Sequence, residues 1–115
     1  MAYKIIKPDE IPHFEHPFGW VFELSNRNHS SALNMARIQI RDDKKHYHKK
    51  ATEIYYIFAG KGTIELNDKT FEIAQNYVII IDPLTKHKAK AKEGQTLDII
   101  VASSPPYNPE DEFFD

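Results

Sequence analysis

The feature that most restricts this chain is a succession of short apolar runs, each closed by turn residues, with no window of helical period. Runs rich in Val, Ile, Phe and Tyr suit a pleated, half-buried strand. The strands read from the sequence are Trp20–Leu24, Leu33–Arg41, Ile54–Phe58, Thr63–Leu66, Lys69–Ile73, Tyr77–Ile81, His87–Lys92 and Leu97–Ala102. In "ELNDKTFEI", Asn67-Asp68 suits the positive φ values of a tight hairpin turn, and the polar Ser25–Ser31 reads as a longer hairpin loop. About eight strands with short connections predict an all-β domain with a closed or sandwiched antiparallel sheet, of which the jelly roll is the common eight-stranded form.

With 115 residues and 41% hydrophobic content, the chain reads as one domain. The expected division is a barrel core over about 19–104, an irregular arm over 1–18 and a proline-rich tail over 105–115. Phe113 and Phe114 near the end either dock on a surface or partner chain, or belong to a frayed tail. The formal net charge of −2 offers no basic excess for nucleic acid. Without cysteine, disulfides, thiolate metal sites and a Cys nucleophile are excluded. No run has the length of a membrane span and no signal segment opens the chain, so a cytoplasmic protein is expected.

"HYHKKATEIYYIFAG" (46–60) carries the chemistry. His46 and His48 are two apart and project to one side of an extended strand. Glu53 reaches the same point if Lys49–Thr52 turns, and His87 follows a Pro-containing turn at another strand entrance. Three imidazoles and a carboxylate suit one divalent ion of Fe, Mn, Ni, Co or Zn. His13, His16 and His29 read as surface histidines in the arm or a loop.

Here the sequence resembles the cupin superfamily of small β-barrel metalloproteins. The family's first motif is Gly, five residues, His-x-His, three or four residues, Glu, six residues, Gly. His46, His48, Glu53 and Gly60 match every spacing, while Arg41, Asp42 and Asp43 occupy the region of the leading Gly. In the second motif Asn76 and Leu84 stand for its two glycines, Asp82 for its Pro and Ala91 for its Asn, and His87 is kept. The resemblance covers about Ala32 to Pro106 and implies the metal ligands His46, His48, Glu53 and His87.

Parity then suggests the lining. In "TKHKAKAKE", His87, Ala89 and Ala91 share one face and Lys86, Lys88, Lys90 and Lys92 the other. The two small alanines are expected to leave room beside the metal for substrate. The lysines read as a solvated face or edge protection, with Lys44 and Lys50 as the remaining rim contacts. Tyr55 shares the parity of Glu53 and is either a pocket hydroxyl, the one inward acid/base group found, or a core tyrosine. Arg37 and Gln39 face solvent, or face the ligand if the pocket is polar. Ile54, Tyr56 and Phe58 form an extra apolar face, to be covered by the arm or by another subunit, and the resemblance implies a homodimer.

The resulting expectation is a metal-dependent enzyme acting on a small polar molecule. Its chemistry is either oxygenase-type or that of a sugar or sugar-phosphate isomerase or lyase. The alternative is a non-catalytic module that binds a sugar or organic acid.

Overall fold

A computed structural model describes residues 2–114. The strands are β1 (His13–His16), β2 (Gly19–Phe22), β3 (Asn34–Ile40), β4 (His46–Tyr47), β5 (Thr52–Ala59), β6 (Lys61–Leu66), β7 (Lys69–Ala74), β8 (Val78–Ile81), β9 (His87–Ala91), β10 (Leu97–Ser104) and β11 (Phe113–Phe114). Helix among the described residues is limited to two single 3-10 turns, Pro8–Glu10 and Pro109–Asp111. One sheet has the order β1-β2-β3-β10-β5-β8 and the other β11-β4-β9-β6-β7, every pairing antiparallel. This is the all-β jelly-roll arrangement expected from the strand pattern.

Strict alternation makes the core. Along β10, Leu97, Ile99, Val101 and Ser103 are buried, and along β5 Glu53, Tyr55 and Ile57. From the facing sheet come Ile64, Ile73 and the buried face His87, Ala89 and Ala91 of β9. Each fully buried Ile or Leu contributes about 1.5–3 kcal/mol through removal of apolar surface from water. Because side-chain direction repeats every second residue, a one-residue slip of β5 would turn Glu53 out and Ile54 in.

The ends are more ordered than the sequence suggested. Residues 13–16 pair with β2, where His13 stacks on Phe22 at 5.8 Å and β1 becomes the sheet's edge. Phe113 and Phe114 pair with Tyr47 and His46, adding an edge strand to the other sheet. The arm therefore does not cover the outer face of β5 and β8, where Ile54, Tyr56, Val78 and Ile80 stay substantially exposed.

Both residues that replace motif glycines keep a glycine-like backbone: Asn76 has φ 74° and Leu84 has φ 71°. Asparagine tolerates this left-handed region, and Asn76 also accepts a hydrogen bond from the Tyr56 hydroxyl at 2.8 Å. Leucine does not tolerate it. Leu84 is held there by a turn in which its N–H donates to the His48 carbonyl at 2.7 Å, with its side chain largely in solvent. Relief of left-handed strain is worth roughly 1–2 kcal/mol against about 0.5–1 kcal/mol of added chain entropy. Leu84→Gly should accordingly raise the melting temperature by a few degrees in calorimetry, whereas Leu84→Ala should not. A lower melting temperature for Leu84→Gly would show that the side chain contributes more than its backbone costs.

Candidate metal centre

Cross-strand register assembles the histidines. His46 on β4 lies directly opposite His87 on β9, with ring centroids 4.2 Å apart. His48 follows two residues after His46, and all three rings point between the sheets. Glu53 enters from the other sheet, on β5. The four residues are buried, and one ligand atom from each lies within 4.8 Å of the others. The group thus spans three strands and both sheets.

The hydrogen bonds fix how these rings face. Nδ1 of His46 contacts the Lys44 carbonyl at 2.7 Å, that of His87 the Thr85 carbonyl at 2.9 Å, and that of His48 the Asp111 carbonyl at 2.9 Å. A carbonyl oxygen only accepts, so each Nδ1 carries the hydrogen and each neutral ring keeps its lone pair on Nε2. Nε2 of His48 and Nε2 of His87 both lie 3.1 Å from Glu53 Oε1. In the neutral rings no hydrogen lies along either contact, and these three buried atoms have no hydrogen-bond partner. Lone pairs facing a carboxylate at this distance repel unless a cation stands among them. Bonds of ~2.1 Å to one ion at right angles would put ligand atoms about 3.0 Å apart. The residues fit a divalent metal.

Without a metal, a proton takes its place. Burial acts to lower the pKa of His48, but the neighbouring Glu53 carboxylate more than offsets this and holds it above 6.5. Burial acts to raise Glu53, yet hydrogen bonding from His48 and His87 brings it down to about 2.

His46, His48 and Glu53 line a cavity of about 320 Å³. Its wall includes the inward face of β3, Asn34, Ala36, Ile38 and Ile40, together with Tyr55 from β5. Arg37 and Gln39 alternate to the opposite face and do not line it; the Arg37 guanidinium lies over Phe22 and Phe58 at 5.1 and 5.3 Å. Ala89 is packed in the core opposite Ile64, and neither it nor Ala91 lines this cavity. The space over the cluster opens toward β3 instead. Lys44 and Lys50 are also outside it, and Lys44 Nζ sits 4.7 Å over the Phe114 ring. Tyr55 stands edge-on to His87 at 6.0 Å, and burial followed by the charge of Glu53 pushes its hydroxyl well above 10.

Wall residues that escaped the sequence reading include Asp43, Tyr107 and Glu112. Asp43 Oδ2 lies 3.6 Å from His46 Nδ1, and burial pushes its carboxyl up despite the counteracting His46. Tyr107 places its ring edge-on to His48 at 6.4 Å and donates its hydroxyl to Glu112. Asp43 lies in the region of the family motif's missing leading Gly, the only local signal. Tyr107 and Glu112 lie in the tail, which carries no strand pattern. From the arm, His16 stacks on Phe18 at 4.4 Å and both line the cavity.

Comparison with known proteins agrees with this fold. An uncharacterized protein of Methanocaldococcus jannaschii is 39% identical over 66 residues, which make up 57% of this chain and 53% of that relative. The chain thus matches about half the relative's length. A protein of known structure from Planctomyces limnophilus has a TM-score of 0.83 at 28% identity, covering 98% of this chain and 97% of its own. Pac13 of Streptomyces, a nucleoside dehydratase also solved with uridine, has a TM-score of 0.81 at 16% identity, covering 98% and 90%. KdgF from Halomonas sp. reaches 0.79 at 17% identity, covering 95% and 99%. At such identities the last two establish the fold alone. The cupin domain family model matches residues 38–103, more than half of the chain. With its two facing sheets and its buried His-His-Glu-His group, this chain belongs to the cupin family.

Proposed function

We propose that this chain is a metal-dependent enzyme that moves protons on a small, uncharged, hydroxyl-rich molecule, in lyase- or isomerase-type chemistry. The observation that carries the reading is the set of buried, unpartnered atoms, His48 Nε2, His87 Nε2 and Glu53 Oε1, beside a cavity with its own acidic groups. His46, His48, Glu53 and His87 would hold one divalent ion, which when bound polarises a substrate carbonyl or hydroxyl.

The chain's own side chains supply the rest. A general acid or base works best when its pKa lies near the operating pH, and burial moves Asp43 upward from the ordinary carboxylate range. Its Oδ1 is already held by the Lys44 N–H at 2.7 Å, leaving Oδ2 as the proton-carrying atom. The Tyr55 hydroxyl keeps its proton and serves as a donor. The Tyr107 hydroxyl donates to Glu112 and fixes that carboxylate in the cavity wall. Oxygenase chemistry needs no such proton-transfer groups, so their presence favours the lyase or isomerase reading. The nucleoside dehydratase among the structural neighbours makes elimination of water one reaction of this class to test.

Charge selects the ligand. Apart from Glu53, the wall carries Glu23, Asp43 and Glu112 against one cation, Arg27, and no lysine. A phosphate ester would meet Glu23 and Glu112 as like charges, which the ion's charge, already shared with Glu53, would offset only in part. Phe14 and Phe18 give one side of the cavity an apolar surface for a ring. The exposed face of β5 and β8, with Ile54, Tyr56, Val78 and Ile80, is assigned to a second copy of the chain.

Native mass spectrometry should therefore show a two-chain assembly with one divalent ion per chain, and His48→Ala should lose most of the ion. Monomers, or wild type without metal, would remove the corresponding part of the reading.

The pH dependence has a definite sign. In the metal-free protein, the raised pKa of His48 stabilises the fold below 6.5, and this is lost as pH rises through the folded-state value. The lowered pKa of Glu53 stabilises above 4.5 and is lost only toward about 2. Metal requires neutral imidazoles, so its binding strengthens as pH rises. The rise in melting temperature on adding metal should be small near pH 5.5 and large near pH 8. An increment that does not change between these values would contradict proton–metal competition at this site.

A ligand panel on metal-loaded protein tests the substrate class. Neutral sugars and nucleosides should bind at least about tenfold more tightly than their phosphate esters. With a turned-over ligand, Asp43→Asn should lower kcat by about a hundredfold or more while metal content is unchanged. Preference for the phosphate esters, or full activity of Asp43→Asn, would overturn these assignments.

A further inference from the structure

Of the three imidazoles, two are held by their own neighbourhood. His46 donates to a carbonyl two residues before it, and so does His87. His48 is different: its Nδ1 partner is the carbonyl of Asp111, 63 residues away in the tail. That carbonyl is itself placed by the Asp111 side chain. Oδ1 accepts from the N–H of Lys49 at 3.0 Å and of Lys50 at 3.1 Å, and Oδ2 accepts from the N–H of Ala51 at 3.1 Å. One carboxylate therefore satisfies three successive backbone donors in the turn that joins His48 to Glu53.

The neighbouring contacts close the same clasp. Phe113 pairs with Tyr47 and stacks on its ring at 5.5 Å, and Lys49 Nζ lies 4.2 Å over Phe113. Glu112 and Tyr107 face the cavity from the same segment.

We infer that Asp111 is a positioning residue of the metal centre, its carboxylate locking the tail onto the His48–Glu53 turn so that its carbonyl fixes the His48 ring. Two consequences separate this role from general stability. Loss of the lock frees His48 alone, since His46 and His87 keep their own carbonyl partners. It also relaxes the turn that carries Glu53, so the approach of carboxylate to imidazole loosens with it. Charge-assisted hydrogen bonds from three amides to one carboxylate are strong enough to hold a short segment in place. Groups that orient a metal-ligating histidine typically govern its affinity tenfold to a hundredfold.

The inference rests on the metal reading above, and the test has a metal-free arm that stands without it. In metal-free Asp111→Ala, long-range proton–nitrogen NMR should show His48 exchanging between tautomers while His46 and His87 stay Nδ1-protonated. In titrations with Zn(II) against a chromophoric chelator, Asp111→Ala should bind roughly tenfold to a hundredfold more weakly than wild type. Asp111→Asn keeps one accepting oxygen and should fall between the two. If Asp111→Ala does not fold, the same two readouts on Asp111→Asn decide, with a smaller loss expected. An unchanged His48 tautomer, or equal disturbance of all three histidines, would overturn the proposal whether or not wild type binds Zn(II). Unchanged Zn(II) affinity alongside a freed His48 would overturn the link from the clasp to metal affinity.

Discussion

The chemistry of this chain turns on one electrostatic confrontation: imidazole lone pairs from one sheet aimed at a carboxylate from the other. Nδ1–H donation to carbonyls leaves the lone pairs on Nε2, and Glu53 Oε1 stands 3.1 Å from two of them. Such an arrangement is not stable by itself in a buried setting. It needs a proton or a metal ion, and the competition between the two follows from the same geometry. The apolar alternation around it, with Ile57, Leu97 and Ile99 fully buried, holds the sheets together without help from the site. The fold therefore tolerates the confrontation and does not arise from it.

Much of this was legible in the sequence, because the signals were local. The period-2 alternation of "TKHKAKAKE" identified the buried face of β9, and His-x-His with Glu53 announced a convergent site. The alternation did not say what each inward residue would meet. Ala89 and Ala91 point inward from β9, but into the packed core, and the cavity opens beside β3 and not beside them. On β3 Ala36 and Ile38 take the cavity face and Arg37 and Gln39 the opposite one, where the half-buried Arg37 packs on Phe22 and Phe58. The long-range partners were beyond reach. Nothing in "SSPPYNPEDEFFD" tells that Asp111 caps the turn after His48, because that contact depends on tertiary closure of the tail.

The departures from the family motif have a common physical reading. Asn76 and Leu84 replace glycines yet adopt positive φ, so the loops kept their course while the residue changed. Asp43, in the region of the missing leading Gly, places a carboxyl group in the cavity wall. Lysines are numerous near the ligands in sequence, but the wall of the cavity is acidic, which shows how poorly linear proximity reports the field inside a barrel.

The central claim is that three imidazole nitrogens and one carboxylate oxygen hold a single ion. X-ray absorption spectroscopy at the metal edge of the loaded protein tests it most directly. The account predicts a first shell containing three histidine nitrogens and at least one oxygen at ~2.0–2.3 Å. In whatever ion His48→Ala retains, that shell should hold one histidine fewer. A metal bound only by water and surface carboxylates, with no imidazole scattering, would contradict it.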